Sequence, residues 1–357
     1  MLKSISHKLK DFLKLFYWRF LASKSEQVAI TYANDKLTDG AGSQLHKIYA
    51  VYAASRLLNV PYIHSPLSNL GWAGVDAFEN NVSFQDFVPR YNQIFHIPSD
   101  IDLPQDHVVC DIDELRFGTL EQLKRQAVKS KTFILARVLD PFGITDNFPE
   151  AYQPLKQVSP FPSQPSSVIR VAIHVRRGDM LALAPSRALS NAYYLAIIEQ
   201  ICEILDRLNL DYVFELYTEA QSKVHKVTAA DGAFPEQYFN DYKLTEVVLD
   251  DTSFNPIGDF DSVPNLKKFI NTDPIETMER MATANVLIIC HSSFSYLPAL
   301  LNQHGIVIYH KFRHSPLQNW LIADDSGQFS MQKFIEQIKA QRSIFPLSTE
   351  LLTKGVS

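Results

Sequence analysis

Two adjacent arginines, Arg176 and Arg177, followed by Gly178 and Asp179, stand directly after the run Val168-Ile169-Arg170-Val171-Ala172-Ile173-His174-Val175. A guanidinium stays charged at every physiological pH and presents a planar fork of donors that matches phosphate oxygens two at a time. Held still, such a pair is a phosphate clamp; left loose, it is a surface partner for local carboxylates, Asp179 included. The preceding run supplies the hold. Six of its eight residues are apolar and mostly β-branched, with no helical spacing, so it reads as a strand buried on both faces, as in a parallel sheet. Open α/β sheets place their ligands at C-terminal strand ends, which is where the arginines fall.

The rest of the second half repeats that pattern. A strand over 211–217 ends at Thr218 and Glu219, one over 247–249 ends at Asp250 and Asp251, and one over 286–290 ends at His291-Ser292-Ser293-Phe294-Ser295, which opens a helix running to Leu301. Each cluster then shares one edge of the sheet. Unpaired N–H groups at that helix start, with the hydroxyls of Ser292, Ser293 and Ser295, make a second place for an anion, although a serine N-cap alone also accounts for them. Thr218, Glu219 and Asp250 have the acceptors that ribose hydroxyls or a base edge require. Two arginines and a helix start balance a diphosphate without a metal, each charge-assisted bond contributing roughly 1.5–3 kcal/mol.

Several elements must position these groups. In the first half, a strand over 27–33, the loop Asp39-Gly40-Ala41-Gly42-Ser43-Gln44, an amphipathic helix from Gln44 to Asn59 and a strand over 60–64 open a Rossmann-like unit. Gly40 and Gly42 let the backbone approach a ligand, though a Gly-x-Gly is as often only a tight turn. A helix near 117–129 and a strand over 132–136 follow, and the Pro- and Ser-rich stretch 159–167 is the clearest linker. Strands alternating with helices imply α/β architecture, here in two domains, 25–160 and 166–345, ahead of which stands a segment 1–24. On a helical wheel that segment sets Ile5, Leu9, Phe12, Phe16 and Phe20 opposite Lys3, His7, Lys10 and Lys14, the pattern of a basic amphipathic helix lying on an anionic membrane surface.

Composition narrows the classes. A length of 357 residues suggests two domains, and 46% hydrophobic with 20% charged residues suits a chain that buries a core. A net charge of −5 gives no overall pull toward nucleic acid. Cys110, Cys202 and Cys290 are widely spaced and odd in number, which is neither a disulfide framework nor a zinc pattern and fits a reducing compartment. No apolar run is long enough to span a bilayer, and Lys8, Lys10, Asp11 and Lys14 interrupt the first apolar region where a signal peptide needs a clean one. A cytoplasmic protein peripheral to a membrane is the expectation.

The motif His174-Val175-Arg176-Arg177-Gly178-Asp179 resembles the His-x-Arg-Arg-(Gly/Thr)-Asp signature of the metal-independent fucosyltransferase superfamily, which covers α1,2-, α1,6- and protein-O-fucosyltransferases. Asp39 to Gln44 is similar to that family's Gly-x-x-Gly-Asn-Gln motif, and Ser292-Ser293-Phe294-Ser295 to its Ser-x-Ser-x-Phe-Ser segment. The resemblance implies a GT-B fold, with two Rossmann-like domains facing across a cleft, and an inverting glycosyltransferase that uses GDP-fucose without a metal or other cofactor. It implies that Arg176 stabilises the departing diphosphate and that His174, Arg177, Ser292, Ser293, Phe294 and Ser295 complete the donor pocket, with Gly40, Gly42 and Gln44 on the acceptor side. Position 39 is Asp where the family has Gly, position 43 is Ser where it has Asn, and 180–186 carries no carboxylate. Asp39 is therefore the first choice of general base and Asp179 the second. The substrates expected are a nucleotide sugar and a glycan or lipid-linked acceptor.

Two other readings compete. Asp111-Ile112-Asp113 and Asp259-Phe260-Asp261 match the Asp-x-Asp of metal-dependent glycosyltransferases, and the missing base suits a non-catalytic glycan- or nucleotide-sugar-binding protein.

Overall fold

The structure, a computed structural model, describes residues 27–35, 39–162, 166–178, 187–220, 225–227, 247–249 and 257–344. The amphipathic segment 1–24, Asp179 and Asp250 lie outside them. The chain divides into two units: the first runs up to Trp72 and again over Phe84–Pro160, and the second holds Ala73–Ser83 and the chain from Phe161 on. Residues 73–83 thus pack with the second unit, not with the neighbours they have in sequence.

The first unit is built on three parallel strands, β1 (Val28–Tyr32), β2 (His107–Glu114) and β3 (Phe133–Asp140), in the order β1-β3-β2. A further parallel bridge joins Ile30 to Tyr62. β1 is buried along its whole length, whereas β2 sits at the edge with Val108 and Val109 each 49% exposed. Edge placement explains why His-Val-Val-Cys-Asp-Ile-Asp-Glu carries no apolar pattern that marks it as a strand. The helix Ala41–Leu58 is not the one-sided helix its spacing suggests, because Ala50, Ala53 and Ala54 let it be covered on several sides. Two of its buried polar side chains reach partners: His46 Nε2 lies 3.1 Å from the Tyr152 hydroxyl, and Lys47 Nζ donates to Asp39 Oδ2 at 2.7 Å.

The second unit carries a six-stranded parallel sheet of β4 (Ile169–His174), β5 (Tyr212–Thr218), β8 (Leu266–Ile270), β9 (Val286–Ile288), β10 (Ile306–His310) and β11 (Leu321–Ala323), in the order β11-β10-β9-β4-β5-β8. Numbered along the chain and read from the β8 edge, that order is 3-2-1-4-5-6, the order of a dinucleotide-binding sheet. The first three strands fill one half and the last three the other, so the chain changes direction between β4 and β9. The strand expected over 247–249 is not in this sheet: as β7 (Val247–Leu249) it pairs antiparallel with β6 (His225–Val227). The reason for placing Asp250 at the sheet edge therefore fails. The third sheet strand is instead Leu-Lys-Lys-Phe-Ile at 266–270, which its half-exposed edge position makes too polar to recognise.

Helix Asn191–Arg207 covers the sheet with Tyr194, Ile197, Ile201, Ile204 and Leu205, packed against Ile173, Phe214 and Ile288 of β4, β5 and β9. Ser190 Oγ caps its start by accepting from Tyr193 N at 3.2 Å. Helices Pro274–Ala282, Ser293–Leu301 and Met331–Ile344 complete the unit. Among the described residues, no helix is long and apolar enough to cross a membrane. Both units are α/β with parallel sheets, the fold class that the alternation of strands and helices implies.

Candidate functional site

β4 ends at His174, and the chain then turns through Val175, Arg176 and Arg177 to Gly178, whose φ of +60° lies in the left-handed region that glycine adopts without strain. A Cβ at Gly178 would stand 3.1 Å from Glu219 Cβ, so the turn rests on the residue just past the end of β5. Gly74, with φ +113°, approaches the same residue: a Cβ there would meet Glu219 Oε1 at 2.9 Å. Two glycines thus make room for one carboxylate beside the arginine turn. Thr218 is buried next to it and donates from Oγ1 to the Glu219 carbonyl at 3.3 Å.

From the other side of the direction change, Ser292 follows β9 and caps helix Ser293–Leu301, its Oγ accepting from Phe294 N at 3.2 Å. Arg176 Nη1 donates to that same Oγ at 2.7 Å. The contact crosses the point between β4 and β9 where open α/β sheets bind ligands. Two further guanidiniums reach the loop: Arg187 Nη2 lies 3.4 Å from the His291 carbonyl and Arg313 Nη2 lies 3.5 Å from Ser293 Oγ. Three cations therefore surround a helix start, an arrangement that favours an anion.

The paired arginines divide their tasks. Arg177 is buried, and donates to the Arg176 carbonyl at 2.8 Å and to Asn191 Oδ1 at 2.5 Å, while Asn191 Nδ2 donates to Asp259 Oδ2 at 3.0 Å. Its guanidinium pins the turn to the helix start, while that of Arg176 reaches the serine loop. Ser295 is likewise internal, donating to the Ser292 carbonyl at 3.3 Å and accepting from Cys290 N at 3.4 Å. Phe294 sets its ring 5.5 Å from that of His174.

His174 lies 3.1 Å from the Cys290 Sγ through Nδ1, with both residues buried. Burial, then the charges of Arg176 and Arg177, push the imidazole down to about 3, and burial raises the thiol above its ordinary range. Both groups are neutral. A histidine whose proton affinity is lowered on folding stabilises fully above the unfolded value of 6.5, and that stability is lost as pH falls toward about 3, because the unfolded chain binds a proton the folded site refuses. Between pH of about 6.5 and about 5 the wild type is expected to lose roughly 1.6 kcal/mol more stability than His174→Gln. Urea unfolding of both proteins across that interval checks this, and parallel pH profiles would refute it.

Beside the serine loop, His291 Nε2 lies 2.7 Å from His310 Nδ1, and His310 Nε2 lies 2.9 Å from Asp325 Oδ1. Burial, His310 and Arg187 hold His291 down to about 4. It enters the site as a neutral ring, stacked on Phe312 at 5.0 Å.

In the first unit, Asp39 Oδ2 accepts from Lys47 Nζ at 2.7 Å and from Ser43 Oγ at 3.0 Å. Gln44 is fully buried, and its Nε2 donates to the Asp39 carbonyl at 2.7 Å and to the Asn69 carbonyl at 2.9 Å. The expected loop Asp39–Gln44 is helical from Ala41 on, with Gly40 just before the helix and Gly42 in its first turn, and Gln44 clips this helix start to the segment near 69. Three of the four Asp-x-Asp carboxylates hold protein partners: Asp111 accepts from Arg137 Nε at 2.7 Å, Asp259 from Asn191, and Asp261 from Lys268. Among the described residues, no group of three or more His, Cys, Asp or Glu is placed to hold a metal ion.

The structure brings His174, Arg176, Ser292, Ser293 and Phe294 to one edge, with Thr218 and Glu219 adjoining. Reading the sequence missed Arg187, Asn191, Arg313 and the role of Cys290. Arg187 and Arg313 carried one usable signal, since each is an arginine just outside a strand-end motif, but nothing local distinguishes them from solvated surface residues.

No family model matches the chain, and no curated protein matches it. Among solved structures it is similar to the Escherichia coli ADP-heptose LPS heptosyltransferase II, at 10% identity over 88% of this chain and 98% of that one, with a TM-score of 0.34. POFUT1 in complex with GDP follows at 12% identity, 78% and 95% coverage and a TM-score of 0.32. A mutant of Arabidopsis thaliana FUT1 in complex with GDP is 10% identical over 86% of this chain and 74% of that one, with a TM-score of 0.35. At these identities and scores the likenesses carry no argument about chemistry.

Proposed function

We propose that this chain is an inverting glycosyltransferase that moves a sugar, with fucose of GDP-fucose the first donor to test, onto a hydroxyl of a glycan or lipid-linked acceptor without a metal ion. The observation that carries the reading is the 2.7 Å bond from Arg176 Nη1 to Ser292 Oγ across the direction change of the sheet. A diphosphate seated there exchanges the serine for phosphate oxygens, gaining charge-assisted bonds from Arg176 and the N–H groups of the Ser293–Leu301 helix start. Arg187 and Arg313 add positive charge from the flanks, and Thr218 and Glu219 offer acceptors for the nucleoside.

In a transfer through an oxocarbenium-like state, charge builds on the leaving diphosphate, so fixed donors aimed at it do most of the work. Arg176 takes that role, with Arg177 and His174 keeping its turn rigid. The acceptor hydroxyl loses its proton to Asp39, whose carboxylate Lys47 and Ser43 orient, or to Asp179. Donor binding falls to the second unit, acceptor binding to the first, and membrane contact to the segment 1–24.

The test is a panel of sugar nucleotides incubated with purified protein, with and without EDTA. Release of GDP from GDP-fucose at an unchanged rate in EDTA is the expected result. Turnover that vanishes in EDTA and returns with manganese would instead support the metal-dependent reading, and tight binding with no turnover of any donor would support a binding protein.

A further inference from the structure

The first unit contains a cavity of about 450 Å³ lined by Glu114, Arg116, Phe117, Gly118, Gly143, Asn147 and Phe148, among others. None of these residues belongs to the arginine motif, the serine segment or the stretch Asp39–Gln44. The cavity opens where β2 ends at Glu114 and helix Phe117–Ser130 begins, beside the short helix Phe142–Thr145 that follows β3. Its size falls within the roughly 300–1,000 Å³ of small-ligand pockets.

The lining combines three features. Phe117 and Phe148 meet edge to face, with centroids 5.5 Å apart and planes at 83°, so they form a corner of two apolar walls. Glu114 and Asn147 supply a carboxylate and an amide, and Arg116 forms an ion pair with Glu114. Helix Phe117–Ser130 starts without a side-chain cap and without an acidic residue in its first turn, and that turn lines the same space. Gly143 approaches the Glu114 carboxylate so closely that a Cβ there would stand 2.4 Å from Oε1, which fixes the carboxylate against one wall.

We propose that this cavity holds one neutral pyranose ring. A sugar ring presents C–H groups on one face, which suit the negative faces of aromatic rings, and hydroxyls around its rim, which need acceptors and donors together. Glu114 and Asn147 accept, while Asn147 and the helix N–H groups donate. Arg116 is already neutralised by Glu114, so a phosphate or uronate would meet that carboxylate without a cation to spare, and a neutral ring is favoured. Sugar binding here stands apart from the transfer reading; naming the ring as part of the acceptor glycan rests on it.

Gly118 supplies the test, because a Cβ at that position meets nothing within 4 Å. Gly118 lines the cavity, so a large side chain there is expected to occupy it. Binding of the methyl glycosides of galactose, glucose, mannose, fucose, N-acetylglucosamine and glucuronic acid to the full chain is followed by saturation-transfer NMR, in the absence of any sugar nucleotide. At least one neutral glycoside is expected to bind at millimolar concentration, at least tenfold more weakly to Gly118→Trp and several-fold more weakly to Glu114→Gln, with Gly118→Ala like the wild type. A thermal midpoint near that of the wild type shows that each variant is folded. Absence of binding by every neutral glycoside, equal binding by Gly118→Trp, or stronger binding of the glucuronide would overturn the proposal. Glycoside binding without turnover of any sugar nucleotide would instead leave the pocket standing and remove the transfer reading.

Discussion

Replacing Arg176 by alanine is expected to lower the turnover of the sugar nucleotide by roughly 10²–10³-fold, the cost of deleting one preorganised donor aimed at developing charge. The effect falls mainly on kcat, because the diphosphate carries more charge as it departs than while it is bonded to the sugar. Arg176→Lys keeps the charge but loses the fork, so an intermediate loss is expected. Ser292→Ala removes the group that Arg176 Nη1 reaches at 2.7 Å, and a smaller loss is expected because the helix start remains. Initial rates at saturating and limiting donor separate kcat from KM. A rate for Arg176→Ala within a few-fold of the wild type would remove Arg176 from the mechanism. Arg177→Ala has a different signature, because Arg177 holds Asn191 and its own turn, so it is expected to lower stability together with activity.

The largest loss of stability is expected from Glu215→Ala, at roughly 3–5 kcal/mol. Glu215 stands in β5 and is only 3% exposed. It accepts from Arg170 Nη2 at 3.0 Å, from Arg280 Nη2 at 2.7 Å and from the Tyr217 hydroxyl at 2.7 Å. Arg280 also lies over the Phe269 ring at 4.7 Å, and Tyr217 stacks on that ring at 5.0 Å, so the cluster ties β4, β5, β8 and helix Pro274–Ala282 together. Deleting the carboxylate leaves two guanidiniums without the anion that compensates them. Burial by itself would raise the Glu215 carboxyl, but hydrogen bonds from Arg170 and Tyr217 and the charges of Arg170 and Arg280 hold it below the ordinary range. With a lowered folded value, its contribution is present above the unfolded carboxyl value and lost as pH falls through the folded one. Glu215→Gln keeps the shape and some of the hydrogen bonds, and is expected to cost less. Urea midpoints at neutral pH decide the matter: an unchanged midpoint for Glu215→Ala would mean that the cluster contributes nothing.

Much of the arginine–serine edge was legible because its signals are local. Val168–Val175 is apolar on both faces and stops at charge, which is enough to mark a central parallel strand with a charged end. Ser292 announced a helix start by residue type alone, and the structure gives it that cap. Edge elements were not legible. β2 and β8 are half exposed and carry lysines or aspartates where a buried strand carries valine, so no two-residue alternation betrays them, and the strand at 247–249 that did look apolar pairs outside the main sheet. The helix Ala41–Leu58 looked one-sided because its second buried face is made of alanine and polar residues.

What the sequence by itself determined is chemistry and period: an α/β alternation, a strand that must be central, two arginines delivered to its end, and a serine-rich helix start. Tertiary structure alone decided which of these meet. Strand order, the placing of residues 73–83 with the second unit, the contact of Arg176 with a serine 116 positions away, and the assignment of Arg177 to the turn itself all depend on pairings between distant segments. Such pairings are selected by the packing energy of the whole sheet, and no window of neighbouring residues contains that quantity.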